Sequence, residues 1–180
     1  MVGVPGSGKT TYARANFPRA LRISLDDLRL MFSGRTFDPR IEPAVAAAAE
    51  ALLEAMARYA AEAKVDLVYD ATNVTRARRA RPIALAQRYG LTPVAIHFDL
   101  PLPIAQRRNL QRSAVVPPNV VESFGQRLEP PTLEEGFSEI IHVPEEYAPP
   151  GSGSIQRTGV RAKKRSTKRR QDDSNDSSTA

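Results

Sequence analysis

Neither cysteine nor tryptophan occurs in this 180-residue sequence. Without cysteine there is no disulfide framework and no thiolate metal site. Aromatic residues make up only 6% of the chain, so no aromatic-rich platform for single-stranded nucleic acid is legible. Histidine is limited to His97 and His142. Neither has a carboxylate at a ligand spacing, so both are read as structural. No apolar run approaches the roughly 18 residues of a membrane helix. The Ala-rich stretch 44–63 is broken by Glu50, Glu54, Arg58 and Glu62 and reads as an amphipathic helix of a soluble protein. No basic-then-apolar leader is visible, which leaves the cytoplasm as the expected compartment and no membrane among the partners.

Positive charge is present in excess, but unevenly. The net charge is +6. Residues 1–150 hold 18 Lys and Arg against 17 Asp and Glu, whereas residues 151–180 hold 8 against 3. The high pI therefore belongs to the end of the chain. From Ala148 onward Pro, Gly and Ser dominate, followed by the basic run 161–170, a composition that cannot bury enough apolar surface to offset ordering entropy. The expected organisation is one domain over 1–147 and a basic, disordered tail over 148–180.

Within the domain, short β-rich runs alternate with longer helical patterns. Strands are expected at 1–4, 21–24, 65–69, 92–99 and 139–143. Helices are expected at 9–16, 26–32, 41–64, 75–89 (with a kink or restart at Pro82), 104–112 and 119–127. Strands separated by helices imply βαβ units. The expected fold is thus α/β, a three-layer sandwich around a parallel sheet of about five strands.

The segment Gly3-Val4-Pro5-Gly6-Ser7-Gly8-Lys9-Thr10 satisfies G-x-x-x-x-G-K-[ST] in full. Gly6 and Gly8 let the backbone curl around phosphate oxygens with its N–H groups inward. A helix opening at Lys9 adds the positive end of its dipole. The Lys9 ammonium suits the β- and γ-phosphates of ATP, and the Thr10 hydroxyl suits a magnesium ion. A chance glycine-rich turn would lack the apolar run before it and the helical pattern after it.

Three further groups bear on chemistry. Asp26 and Arg29 follow the second strand three residues apart, so on a helix they share a face. An aspartate there can take the proton of an attacking hydroxyl, and an arginine beside it can hold an anionic acceptor. The same spacing also fits a capping carboxylate beside a solvated arginine. Asp70 ends a strand, as a carboxylate supporting the magnesium shell does; alone, it also fits a turn residue. It is followed by Arg76, Arg78, Arg79 and Arg81, some of which read as a solvated helix face. Arg108 and Arg112 lie four apart on one predicted helix and fit either a lid over ATP or a basic surface.

The order of these motifs resembles the 5′-hydroxyl polynucleotide kinase domain of the phage type, a P-loop kinase family of the P-loop NTPase superfamily. The resemblance rests on residues 3–14, on Asp26-Asp27-Leu28-Arg29, on Asp70-Ala71-Thr72-Asn73, on Arg108-Asn109 with Arg112, and on the segment 130–137. It covers residues 1 to about 145. At Leu25 the sequence departs from the polar or basic residue that many relatives carry, and no phosphatase domain is read after the kinase. The resemblance implies Gly3, Pro5, Gly6, Ser7, Gly8, Lys9, Thr10 and Thr11 around the nucleotide, with Thr10 and Asp70 serving the metal. It further implies Asp26 as general base, Arg29 on the acceptor phosphate, and Arg112 as lid arginine with Arg108 beside it. The expected activity is transfer of the γ-phosphoryl group of ATP, with Mg2+, to a 5′-hydroxyl of RNA or DNA, the basic tail aiding the grip on nucleic acid. A small-molecule kinase and an ATP-binding regulatory module are the alternatives.

Overall fold

A computed structural model of the chain describes residues 1–36, 38–112 and 115–147; the expected tail 148–180 lies outside the described residues. No helix among them is long and apolar enough to cross a membrane.

Among the described residues six α-helices and four strands follow the order that the sequence suggests. Helix α1 spans Lys9–Asn16, followed by β1 (Leu21–Ser24), α2 (Leu25–Ser33), α3 (Glu42–Ala63) and β2 (Leu67–Asp70). Then come α4 (Arg76–Arg88), β3 (Val94–His97), α5 (Leu102–Leu110), α6 (Pro118–Gln126) and β4 (Glu139–His142). Helix α4 runs through Pro82 without restarting. Its buried Ile83 and Leu85 hold the chain against the core despite the missing N–H.

The sheet differs from the expected five strands. Among the described residues it consists of two parallel pairs, β1 with β2 and β3 with β4. The expected strand at 1–4 makes one isolated parallel bridge, Val2 to His97. Val2 N donates to the Ile96 carbonyl and Phe98 N to the Val2 carbonyl. One residue later the chain turns to the other pair, where Gly3 N donates to the Thr72 carbonyl (3.0 Å). The backbone leaves the β3 ladder at Gly3 to open the loop, so only Val2 is paired in strand fashion.

Two apolar clusters pack helices on these strands. Ile23, Leu53, Ala57 and Leu85 join α3 and α4 to β1. Ile96, Phe98 and Val143, with Tyr12 of α1 and Phe17 just after it, pack on the β3–β4 pair. Val45, Ala49, Leu53, Ala57 and Ala60 recur at helical spacing along α3 and form its buried stripe.

Two buried polar groups have consequences for stability. Arg79, which the sequence places in a basic patch, is 2% exposed and donates two hydrogen bonds to Glu135 (2.6 and 2.7 Å), itself 2% exposed along its side chain. Arg79 also donates to the carbonyls of Asn73 and Glu129. Burial opposes the charge on Glu135, but Arg79 and the Thr132 N–H together hold its carboxyl below the ordinary range. Arg79→Met leaves that carboxylate only the distant Arg76 (4.0 Å) as a cationic partner, and denaturant unfolding should show a loss of about 3 kcal/mol.

His97 is 2% exposed, and among the described residues neither ring nitrogen has a hydrogen-bond partner. Burial pushes its pKa below 6.5, with His142 and Arg79 adding to the shift and Asp99 opposing it. Between the folded value and 6.5 the unfolded chain binds more protons, so stability is complete above pH 6.5 and falls as pH drops below it. Denaturant midpoints measured from pH 7.5 to 5 should decline below 6.5, and His97→Phe should flatten that decline.

Candidate active site

The glycine-rich loop opens where Gly3 leaves the strands, and α1 begins at Lys9 with Gly8 as its cap. Ser7 N donates to the Val4 carbonyl (3.2 Å) and closes the turn. Gly6 and Gly8 adopt φ of 84° and 95°, a region that side chains disfavour. At Gly6 a Cβ would also lie 2.2 Å from the Ala105 carbonyl oxygen, so glycine is what lets α5 rest on the loop.

Lys9 folds inward. Its Nζ donates to the Val4 carbonyl (2.7 Å) and the Ser7 hydroxyl (3.2 Å), and the residue is 8% exposed. Burial pushes its pKa down to about 8; Asp70 and Asp26 pull it upward and Arg112 lowers it. The ammonium therefore waits inside the loop, partly desolvated, with two neutral partners that an anion can replace.

Thr10 Oγ1 donates to Asp70 Oδ2 (2.9 Å), and Arg22 donates to the same oxygen (2.8 Å). Arg22 also pairs with Asp27. The β1–β2 register sets Ser24 beside Asp70, so α2, which starts just after Ser24, carries Asp26 to the same end of the strands. Ser24 caps α2 by accepting from Asp27 N (3.2 Å). Capping thus falls to Ser24, which leaves the Asp26 carboxylate available.

Asp26 is held by two arginines. Arg29 reaches Oδ1 (2.7 Å), and Arg112 reaches Oδ2 (2.8 Å) from 86 residues away. Arg29 also makes a two-pronged pair with Glu42 (2.6 and 2.9 Å), which sets its plane. Arg108 donates to the Glu145 carbonyl (2.7 Å) and makes no contact with Asp26.

These groups share one cavity of about 480 Å³, lined by Lys9, Thr10, Asp26, Arg29, Asp70 and Arg112 among others. Pro5, Gly6, Gly8, Thr11 and Arg108 also line it. Gly3 and Ser7 do not. They shape the loop from behind, Ser7 by accepting from Lys9. A larger cavity of about 640 Å³ lies among Leu53, Ile83, Leu85 and Tyr89, away from these groups, and belongs to the apolar packing of α3 and α4.

Among the described residues no cluster of three or more His, Cys, Asp or Glu could hold a metal. Mg2+ takes one or two protein ligands and completes its shell with phosphate and water, and Thr10 with Asp70 offers such a corner beside an anion cradle. Arg22, Glu42 and Arg79 were not singled out as site or core residues by the sequence. A charged residue inside a four-residue strand was the available signal for Arg22. Nothing local marks Glu42 as the partner of Arg29.

Comparison with known proteins adds a family and a fold. The AAA domain family model AAA_33 matches residues 1–131. Among curated proteins none matches the chain. A protein in the structure of the Pnkp1/Rnl/Hen1 RNA repair complex is 26% identical, with a TM-score of 0.56 over 71% of this chain and 42% of that one. The present chain thus spans less than half of that protein. A protein of Chloroflexus aurantiacus j-10-fl, provisionally called a kinase, is 24% identical with a TM-score of 0.60, over 79% of this chain and 81% of that one. A gluconokinase from Sinorhizobium meliloti 1021 is 21% identical, with a TM-score of 0.49 over 82% and 81%.

Proposed function

As the chain belongs to the AAA domain family, we propose that it is an ATP- and Mg2+-dependent kinase that phosphorylates the 5′-hydroxyl of RNA or DNA. The observation that carries this reading is Asp26, a carboxylate held by two arginines across the same cavity from Lys9 and Thr10. A domain that only binds and releases nucleotide needs the loop but has no use for a base opposite it.

When bound, ATP with Mg2+ supplies the phosphoryl group and offsets its negative charge. The loop amides and Lys9 orient the phosphates, and Thr10 with Asp70 holds the metal corner. Asp26 accepts the proton of the incoming hydroxyl as that oxygen attacks. Arg29, fixed by Glu42, grips an anionic group on the acceptor, and Arg112 neutralises charge gathering on the transferring group. The same cavity has an apolar stretch of wall, formed by Leu25, Val116 and Val120. An acceptor with both a flat apolar part and a phosphate, as a nucleotide has, suits such a wall beside Arg29. The likeness to a protein of an RNA repair complex points the same way.

The test is transfer of label from γ-labelled ATP to 5′-hydroxyl RNA and DNA oligonucleotides. Incorporation that needs Mg2+ and disappears in Lys9→Ala is expected. Absence of transfer to either polymer, with ADP release stimulated by a small metabolite instead, would overturn the acceptor assignment.

A further inference from the structure

Although the sequence shows no aromatic-rich platform, the fold assembles a small one from a single ring and two guanidiniums. Phe124 lies on α6 and lines the site cavity. Arg78, from the first turn of α4, lines the same cavity, and its Cζ sits over the Phe124 ring at 5.8 Å. Arg127, just past α6, places its Cζ over the same ring at 5.1 Å. Its Nε donates to the Ser123 carbonyl (2.9 Å), which orients the guanidinium; on this exposed residue the terminal nitrogens make no hydrogen bond among the described residues.

The charge here is selective. Arg22, Arg29, Arg79, Arg81, Arg88 and Arg112 each pair with a carboxylate. Arg78 and Arg127 make no ion pair among the described residues, and both are exposed. Of the arginines that line the cavity, Arg29 and Arg112 are paired with Asp26, whereas Arg78 and Arg108 have no carboxylate partner among the described residues, and of these two Arg78 is stacked on Phe124.

From this arrangement we propose that Phe124, Arg78 and Arg127 bind the second nucleotide of a polynucleotide acceptor, next to the one whose hydroxyl faces Asp26. This rests on the kinase reading above for the position of the first nucleotide. Nucleobases stack on aromatic faces and on guanidinium planes, and the terminal nitrogens meet the linking phosphate. Val120, one helical turn before Phe124 on α6, continues the apolar wall from the cavity to the ring. A mononucleotide or a small metabolite that stops at Leu25, Val116 and Val120 does not reach Arg127, which lies beyond the cavity lining. The platform therefore favours a polymer over a single nucleotide.

The experiment uses the full chain, the pair Arg78→Gln/Arg127→Gln and the milder Phe124→Leu. Transfer is measured with a 5′-hydroxyl ten-nucleotide DNA and with adenosine 3′-monophosphate. Binding of a fluorescent 5′-phosphorylated ten-mer is followed by anisotropy across a salt series. The paired variant should lose about ten-fold more in kcat/KM on the ten-mer than on the mononucleotide. Its affinity for the ten-mer should fall by a similar factor, with a shallower salt dependence. Equal losses on both acceptors, or unchanged ten-mer binding, would overturn the platform. If the wild type phosphorylates nothing, the kinase reading falls, and the anisotropy series alone decides whether the platform exists.

Discussion

Arg112→Ala should lower kcat for phosphoryl transfer by about 10³–10⁵-fold while leaving nucleotide affinity within a few-fold of wild type. That is the span by which an arginine that neutralises charge on the transferring group accelerates the reaction. The expected split follows from where Arg112 rests. Its guanidinium lies 2.8 Å from Asp26 Oδ2, on the acceptor side, and makes no contact with the loop that cradles phosphate. Initial binding of a triphosphate then depends on Gly6, Gly8, Lys9 and Thr10, whereas Arg112 contributes once the reacting groups have met. Single-turnover transfer and fluorescent-nucleotide titration separate the two quantities. A parallel fall in affinity and rate would return Arg112 to the role of a nucleotide clamp.

Asp26→Asn should cost about 10²–10⁴-fold in kcat, the range expected when a general base is removed and the geometry kept. Asparagine preserves the shape and still offers one carbonyl oxygen to the arginines, so folding and nucleotide binding should survive. The two substitutions should not add. Arg112 and Asp26 are direct partners, and removing either frees the other from its position, so the double variant should be far less impaired than the product of the single effects. If Asp26→Asn retains full transfer while Lys9→Ala abolishes it, Asp26 is a structural anchor for two arginines and the base lies elsewhere.

Asp26, 38% exposed along its side chain, has a guanidinium on each carboxylate oxygen, which fixes where the group points.

What the sequence determined by itself was local. Gly3–Thr10 specifies its loop because glycine spacing, the lysine and the following helical pattern all act within a dozen residues. Helix α1 and strand β1 fall on their expected residues, and the other elements shift by only one or two positions. Asp26 and Arg29 were legible as a pair because three residues on a helix are neighbours. Tertiary structure alone decided how distant charges were matched. It set Arg22 on Asp70, Glu42 on Arg29, Arg112 on Asp26, and Arg79 in a buried pair with Glu135. It also left the sheet as two parallel pairs, with residues 1–3 hydrogen-bonded to both. The physical reason is that a turn or helix is chosen by torsional preference and nearby hydrogen bonds, which spacing encodes. The partner of a charge is chosen by which elements pack side by side, and α4, β2 and α5 meet the rest of the site only once the apolar faces of α1, α3 and the strands have closed on one another.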